Sequence, residues 1–377
     1  MKQLLSYLQQ ELPGGLQLLE QMVNMESPST DKVLVDRFAR FVGSQFEAIG
    51  GAVEYVPAER FGDHLLVKFP GKTSNQILLL GHTDTVFPAG EVAKRPFRNM
   101  NGKATGPGVF DMKAGILIMW SALRALLKTG NPLENDVTVL LTSDEEVGSS
   151  TSRALLESEA ISASAVFVLE PSLPGGVLKT ARKGVGRFTI KAIGRAAHSG
   201  VDPAKGINAI EEIARQVLLL QAMNNAELGT SVTVGVIQGG TRSNVVPAEA
   251  AIEVDVRVAT IEEASRMTTA VHALQPQLSG ARLEVRGLIN RPPMVRTSDS
   301  VRLFELARSV GKELGIDIDE GSTGGASDGN FTSALGIPTL DGLGAVGDGA
   351  HAIDEYVEIA SLPHRAALIA GMIQRIH

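Results

Sequence analysis

The chain has 377 residues, enough for two or three domains around a substantial core, which excludes a peptide or a stapled mini-scaffold. Hydrophobic residues make up 44% and charged ones 20%, a globular and not a disordered composition. With 35 basic against 42 acidic residues the net charge is -7, the wrong sign for electrostatic binding of nucleic acid or an anionic membrane.

There are no cysteines, so any metal must be held by His, Asp and Glu, and a reducing cytoplasm suits the composition. The stretch up to Val23 is interrupted by Gln, Glu and Pro and lacks the continuous apolar core of an export signal. The most apolar run, Ile116 to Leu123, falls far short of the roughly 20 residues that span a bilayer. A soluble protein is expected.

In chain order, Leu16 to Val23 and Val33 to Ile49 carry apolar residues at helical spacing, the second ending at Gly50-Gly51. Short, continuously apolar runs follow at Ile77 to Leu80, Val137 to Leu141 and Val166 to Leu169, separated by helical stretches at Lys113 to Lys128 and Thr151 to Ser158. That alternation predicts a parallel sheet covered on both faces. From Lys183 the pattern changes to an alternating strand after Gly186, a helix over Ile207 to Met223, strands from Ser231 and Ala250, a helix over Thr260 to Leu274 and a strand from Arg282. The order β-α-β-β-α-β predicts an inserted ferredoxin-like α+β domain. The helix and strand alternation then resumes at Ser300 to Leu314, Ile337 and Leu362 to Ile376. The expected division is a doubly wound α/β domain formed by 1–181 and 292–377, interrupted by a smaller domain at 182–291.

Ligands of open α/β sheets bind beyond the carboxyl ends of the strands, so the residues just after each apolar run carry the most information. They are polar throughout: Gly81-His82-Thr83-Asp84 after the first, Ser143-Asp144-Glu145-Glu146 after the second, Glu170-Pro171 after the third. A glycine-rich loop places Asp111 at the mouth of a helix, and a late loop delivers His351 just before Asp354-Glu355-Tyr356. Taken singly, His82 reads as a satisfied buried imidazole, Asp111 as a helix cap and Glu145-Glu146 as a solvated turn. Taken together, these groups at one sheet edge leave buried carboxylates uncompensated unless something positive binds them. Two divalent ions against three carboxylates leave one positive charge, which a single hydroxide neutralises, and such a hydroxide attacks carbonyls. His and carboxylate ligands without sulfur suit zinc, with cobalt or manganese as substitutes.

The strings GHTDTV, GPGVFDMKAG, TSDEEVGS, VLEPS, GRAAHSG, SNVVP, TGGASDGN and GAHAIDEYV, in this order, resemble the aminoacylase and glutamate carboxypeptidase family of di-zinc metallopeptidases over nearly the whole chain. Within it, the chain is most similar to the bacterial glutamate carboxypeptidase branch. The resemblance implies that Asp111 bridges two ions, with His82 and Glu170 completing one site and Glu146 and His351 the other. It implies further that Asp84 fixes the His82 ring, that Glu145 is the general base, and that His198 stabilises the oxyanion, commonly across a homodimer. Asn244, Arg257 and Arg291 match positions that contact a substrate carboxylate, and Gly324 and Gly325 a loop that passes close to the substrate. For Arg257 a structural salt bridge to Asp255 is the competing reading. Met112 stands where that branch often has a second Asp, a Met there resembling the deacylase and desuccinylase branches instead, and Ala114 replaces a common Gly. The expected activity is therefore hydrolysis of an amide beside a free carboxylate, with an N-acyl amino acid deacylase as the alternative and a non-catalytic dimeric binding protein as the rival from another class.

Overall fold

The computed structural model describes residues 1–376. They cluster into two compact units, one formed by Met1–Ala181, Arg296–Ser322 and 327 onward, the other by Arg182–Val295 with Thr323–Ala326.

The larger unit opens with α1 (Lys2–Val23) and α2 (Lys32–Glu47), followed by β1 (Ala52–Val56), β2 (His64–Phe69) and β3 (Thr73–His82). A one-turn α3 (Glu91–Lys94), two short strands β4 (Arg98–Met100) and β5 (Lys103–Thr105), α4 (Ala114–Lys128), β6 (Asn135–Thr142), α5 (Arg153–Ile161), β7 (Ala163–Val168) and β8 (Leu178–Arg182) come next. The first helix was expected to start only after Pro13-Gly14-Gly15, yet α1 runs straight through them. Relative to alanine, Pro in a helix costs about 3 kcal/mol and each Gly about 1. Leu4, Leu8, Leu18, Leu19, Met22 and Val23 are all buried on this helix. At about 1.5–3 kcal/mol for each such side chain, packing outweighs the breakers.

The smaller unit contains β9 (Gly184–Ile193), α6 (Ala209–Gln221), β10 (Ser231–Gly239), β11 (Glu249–Val258), α7 (Ile261–His272) and β12 (Arg282–Arg291). Its sheet order is β10-β11-β9-β12 with every neighbouring pair antiparallel, the ferredoxin-like arrangement. Alternate residues Phe188, Ile190 and Ala192 of β9 and Ile252, Val254 and Val256 of β11 face one core. Asn208 and Thr260 cap the two helices with side-chain oxygens that accept from the first-turn N–H groups.

The chain returns to the larger unit with α8 (Ser298–Leu314), β13 (Glu320–Thr323), α9 (Gly329–Ala334), β14 (Thr339–Leu340), β15 (Gly347–Asp348), β16 (Tyr356–Glu358) and α10 (Leu362–Ile373). Its main sheet has the order β1-β2-β6-β3-β7-β14. The inner strands β6, β3, β7 and β14 are parallel, as expected, whereas β2 runs antiparallel to β6 and β1 antiparallel to β2. The expected parallel sheet is thus extended at one edge by two antiparallel strands. Half-exposed β1 lacks the continuous apolar run of a strand covered on both sides. Along β3 the pleat sends Ile77 and Leu79 into the core under α1, α4 and α10, and Leu78 and Leu80 into a second core with α5 and α9. A separate four-stranded sheet, β15-β16-β5-β4, joins an early and a late stretch of the same unit. No helix among the described residues is long and apolar enough to cross a membrane.

Candidate active site

The carboxyl ends of β3, β6 and β7 put His82, the Glu145-Glu146 turn and Glu170 at one edge of the main sheet. His82 is the last residue of β3, paired with Thr142. Its Nε2 lies 3.1 Å from Asp111 Oδ1 and 3.4 Å from Glu170 Oε1. Asp111 sits in the turn before α4, and its other oxygen, Oδ2, is 3.3 Å from His351 Nε2. The same His351 nitrogen is 3.1 Å from Glu146 Oε2. One carboxylate thus faces two imidazoles from opposite ends of the chain, each through a different oxygen.

Asp84, fully buried, ties these groups together. Its carboxylate accepts from the Glu145 and Glu146 backbone N–H groups, both at 3.2 Å, and from the Ser29 hydroxyl at 2.7 Å. Its backbone carbonyl lies 2.9 Å from His82 Nδ1, and its Oδ1 3.4 Å from the same atom. Asp84 therefore orients the His82 ring and the acidic turn at once. Ser29 was not singled out in the sequence: it lies in an irregular stretch after α1 with neither periodicity nor motif to mark it.

Electrostatics follow from this crowding. Burial disfavours the charged His82 ring, but its bonds to Asp111, Asp84 and Glu170 overcome that and hold its pKa well above the ordinary value. Burial likewise opposes ionisation of Asp111, and the two imidazoles more than compensate, keeping it well below the usual carboxylate range. For Glu146 burial wins, assisted by the Asp111 charge, and its carboxyl is pushed up to about 7. His351 is held up at about 11 by its bonds to Asp111 and Glu146. Protons here stand where positive charge is required.

These residues fit metal ions. His82, Glu145 and Glu170 form one group whose ligand atoms all lie within 4.8 Å of one another, and His82, Asp111 and Glu146 form a second. Glu146 Oε1 is buried without a hydrogen-bond partner, a cost that a cation removes. The donor set, imidazole and carboxylate without sulfur, matches catalytic sites for divalent first-row metals.

The smaller unit carries the other sequence candidates. A backbone bridge joins His198 to Val245, and the Ser199 N–H donates to the Asn244 carbonyl at 3.1 Å, so the His198 and Asn244 loops are neighbours. His198 Nδ1 accepts from the Gly200 and Val201 N–H groups at 3.1 and 3.2 Å, which leaves the ring proton on Nε2. Arg257 donates to Asp255 through Nε at 2.7 Å and Nη2 at 3.0 Å, and to the Gly324 carbonyl through Nη1 at 3.3 Å. Its salt bridge is thus present. Arg182, absent from the sequence candidates, donates to the Gly325 carbonyl at 3.2 Å, so two guanidinium groups hold the Gly324-Gly325 loop. A side chain at Gly324 would meet no protein atom within 4 Å. Arg291 closes β12 and is buried.

An α/β sheet with imidazoles and carboxylates gathered at its strand ends defines a metal-dependent hydrolase. The family model described as peptidase family M20/M25/M40 matches residues 78–375, and the chain belongs to that family. It is 31% identical over 371 residues to carboxypeptidase G2 of Pseudomonas sp. (strain RS-16), covering 96% of this chain and 89% of that protein. It is 27% identical over 325 residues to the succinyl-diaminopimelate desuccinylase of Thioalkalivibrio sulfidiphilus, covering 81% and 85%. Among solved structures, the aminopeptidase PepT of Bacillus cereus superposes with a TM-score of 0.79 at 21% identity, covering 96% and 98% of the two chains, a likeness of fold. The family resemblance expected from the motifs is met.

Proposed function

We propose that the protein is a two-ion amide hydrolase that releases a C-terminal amino acid, of glutamate type, from a small peptide or related amide. The observation that carries the reading is Asp111, whose two oxygens separately meet His82 and His351. This supports a bridging role for Asp111, with His82 and Glu170 serving one ion and Glu146 and His351 the other. Zinc is the proposed ion, replaceable by cobalt or manganese. Bound there, it supplies Lewis-acid charge and lowers the pKa of water to roughly 7.

Glu145 then takes a proton from the attacking water and returns it to the departing amine. Its main chain is fixed by Asp84, which favours one orientation of the base. His198, protonated on Nε2, donates to the developing oxyanion. Asn244 and Arg291 bind the substrate carboxylate, while Arg257, already engaged by Asp255, holds the Gly324-Gly325 loop beside the substrate. The smaller unit, 182–291 in this reading, pairs two copies into a cytoplasmic homodimer.

A second reading, an N-acyl amino acid deacylase or desuccinylase, is favoured by Met112. Its sulfur accepts from the His82 N–H at 3.3 Å, placing an apolar side chain beside the site. The likeness to a desuccinylase points the same way. A panel of C-terminal dipeptides, acylated glutamates and succinylated diamino acids separates the two. Turnover of the C-terminal dipeptides above the acylated and succinylated compounds supports the first reading, the reverse order supports the second, and no turnover of any overturns both in favour of a silent binding protein.

A further inference from the structure

The loop that carries His351 is the connection between β15 and β16, and the turn that carries Asp111 follows β5, which pairs with β16. The last backbone pair at that end of the ladder is Tyr356 with Thr105. Just beyond it, Glu355 continues the connection with its side chain. One carboxylate oxygen accepts from the Gly108 N–H, and the other from the Phe110 N–H at 3.3 Å. The residues so joined are about 250 positions apart, and Phe110 immediately precedes Asp111.

Both partners of this clamp are themselves constrained. Gly108 has φ +71, and a Cβ there would lie 2.6 Å from Thr85 Cγ2, so the turn sits tightly beneath the residue that follows Asp84. On the other side, Gly349 has φ +79 and a Cβ would lie 3.0 Å from Glu355 Cα, so the loop closes directly on Glu355. His351 holds a left-handed φ of 67 at the tip of that loop. Glu355 is 1% exposed, and a carboxylate so buried persists only where N–H donors and a nearby cation compensate it. Two N–H donors and the nearby Lys113 amine oppose that cost in part: burial still pushes the Glu355 carboxyl up to about 7 and brings the Lys113 ammonium down to about 7. The proposed chemistry does not use Glu355.

We propose that Glu355 is the positioning residue of the metal centre, a single buried carboxylate that fastens the Asp111 turn to the His351 loop before any ion arrives. The inference rests on the two-ion reading above. Because Asp111 serves both ions and His351 only one, loosening the clamp weakens both ions and most of all the one on the His351 side. A Glu355→Gln side chain has one accepting oxygen where two are used, and its amide turns a donor toward an N–H. Glu355→Asp keeps the charge but withdraws it by one methylene.

The experiment is a titration of the metal-stripped full-length chain and both variants with Co(II), following the visible absorption of the bound ion, with the thermal midpoint of each metal-free protein as the folding control. The expected result is two Co(II) per wild-type chain, and in folded variants one ion weakened by about 10–100-fold beside a second that is weakened less. Two ions bound by both variants as tightly as by wild type, with the same spectrum, would overturn the role of Glu355. Fewer than two ions on the wild type would instead overturn the two-ion reading. If neither variant folds, amide exchange of metal-free wild type decides: slow exchange at Gly108 and Phe110 is expected, and rapid exchange there would refute a clamp formed ahead of metal.

Discussion

In the larger unit His82, Glu145, Glu146 and Glu170 follow the ends of buried parallel strands and draw Asp111 and the exposed His351 into one interlocked cluster, whereas in the smaller unit His198 and Asn244 stand on exposed loops held mainly by backbone bonds. Metal ligation punishes displacement of a donor by a few tenths of an ångström, so it is built where strands and Asp84 over-determine position. Substrate binding tolerates and uses movement, which suits the roles proposed for His198 and Asn244 on loops whose rearrangement costs little. The two regions should therefore fail differently when altered, one through metal content and the other through turnover alone.

The largest effect expected is from Glu145→Gln, which removes the proposed proton carrier and should lower kcat by about 100- to 10,000-fold while metal content, read by elemental analysis, stays at the wild-type value. Unaltered turnover would move the base elsewhere. His198→Ala should cost about 100- to 1,000-fold in kcat, again with metal content unchanged, if it acts on the oxyanion as proposed. Loss of metal in this variant would break the contrast between the units.

Asp84→Asn sharpens the contrast from the other side. It keeps the size of the side chain but disturbs the bonds to Ser29 and to the Glu145 and Glu146 N–H groups, and should weaken metal by about 10- to 100-fold. The smallest effect is thermodynamic. In the metal-free chain both His82 and His351 are held above their ordinary pKa, His351 at about 11, so at pH 7 each carries a proton that a ligand must lose. Metal binding should release roughly two to three protons per chain, the further fraction from Glu146 at about 7, and apparent affinity should rise with pH between 6 and 8, on the order of tenfold or more per pH unit. Calorimetry at one pH in two buffers of different ionisation enthalpy reads the release directly, and equal heats in both would contradict the assignment of these imidazoles.

Much of this organisation is legible in the sequence. The continuous runs at Ile77 to Leu80 and Val137 to Leu141 mark strands buried on both faces, and the rule that ligands gather at carboxyl ends then leads to His82, Glu145 and Glu146 without any structure. Alternation in β9 and β11 equally reveals the ferredoxin-like unit. The strands β4, β5, β15 and β16 are two or three residues long and mostly exposed, too short for a period to register. Because they set the Asp111 turn beside the His351 loop, the role of Glu355 is invisible until they are seen. Ser29 is hidden for a related reason, its bond to Asp84 spanning 55 residues of sequence. The course of α1 through Pro13 shows the converse limit, a strong local signal overruled by packing.

The most direct test of the central claim is to strip the protein with a chelator and then restore zinc stepwise, counting ions bound per chain while following release of a C-terminal amino acid from an acyl or peptidyl glutamate. The account predicts no activity in the stripped protein, two ions bound at saturation, and turnover that rises with occupancy. Full activity after stripping, or a chain that binds no zinc at the His82, Asp111 and His351 edge, would contradict it.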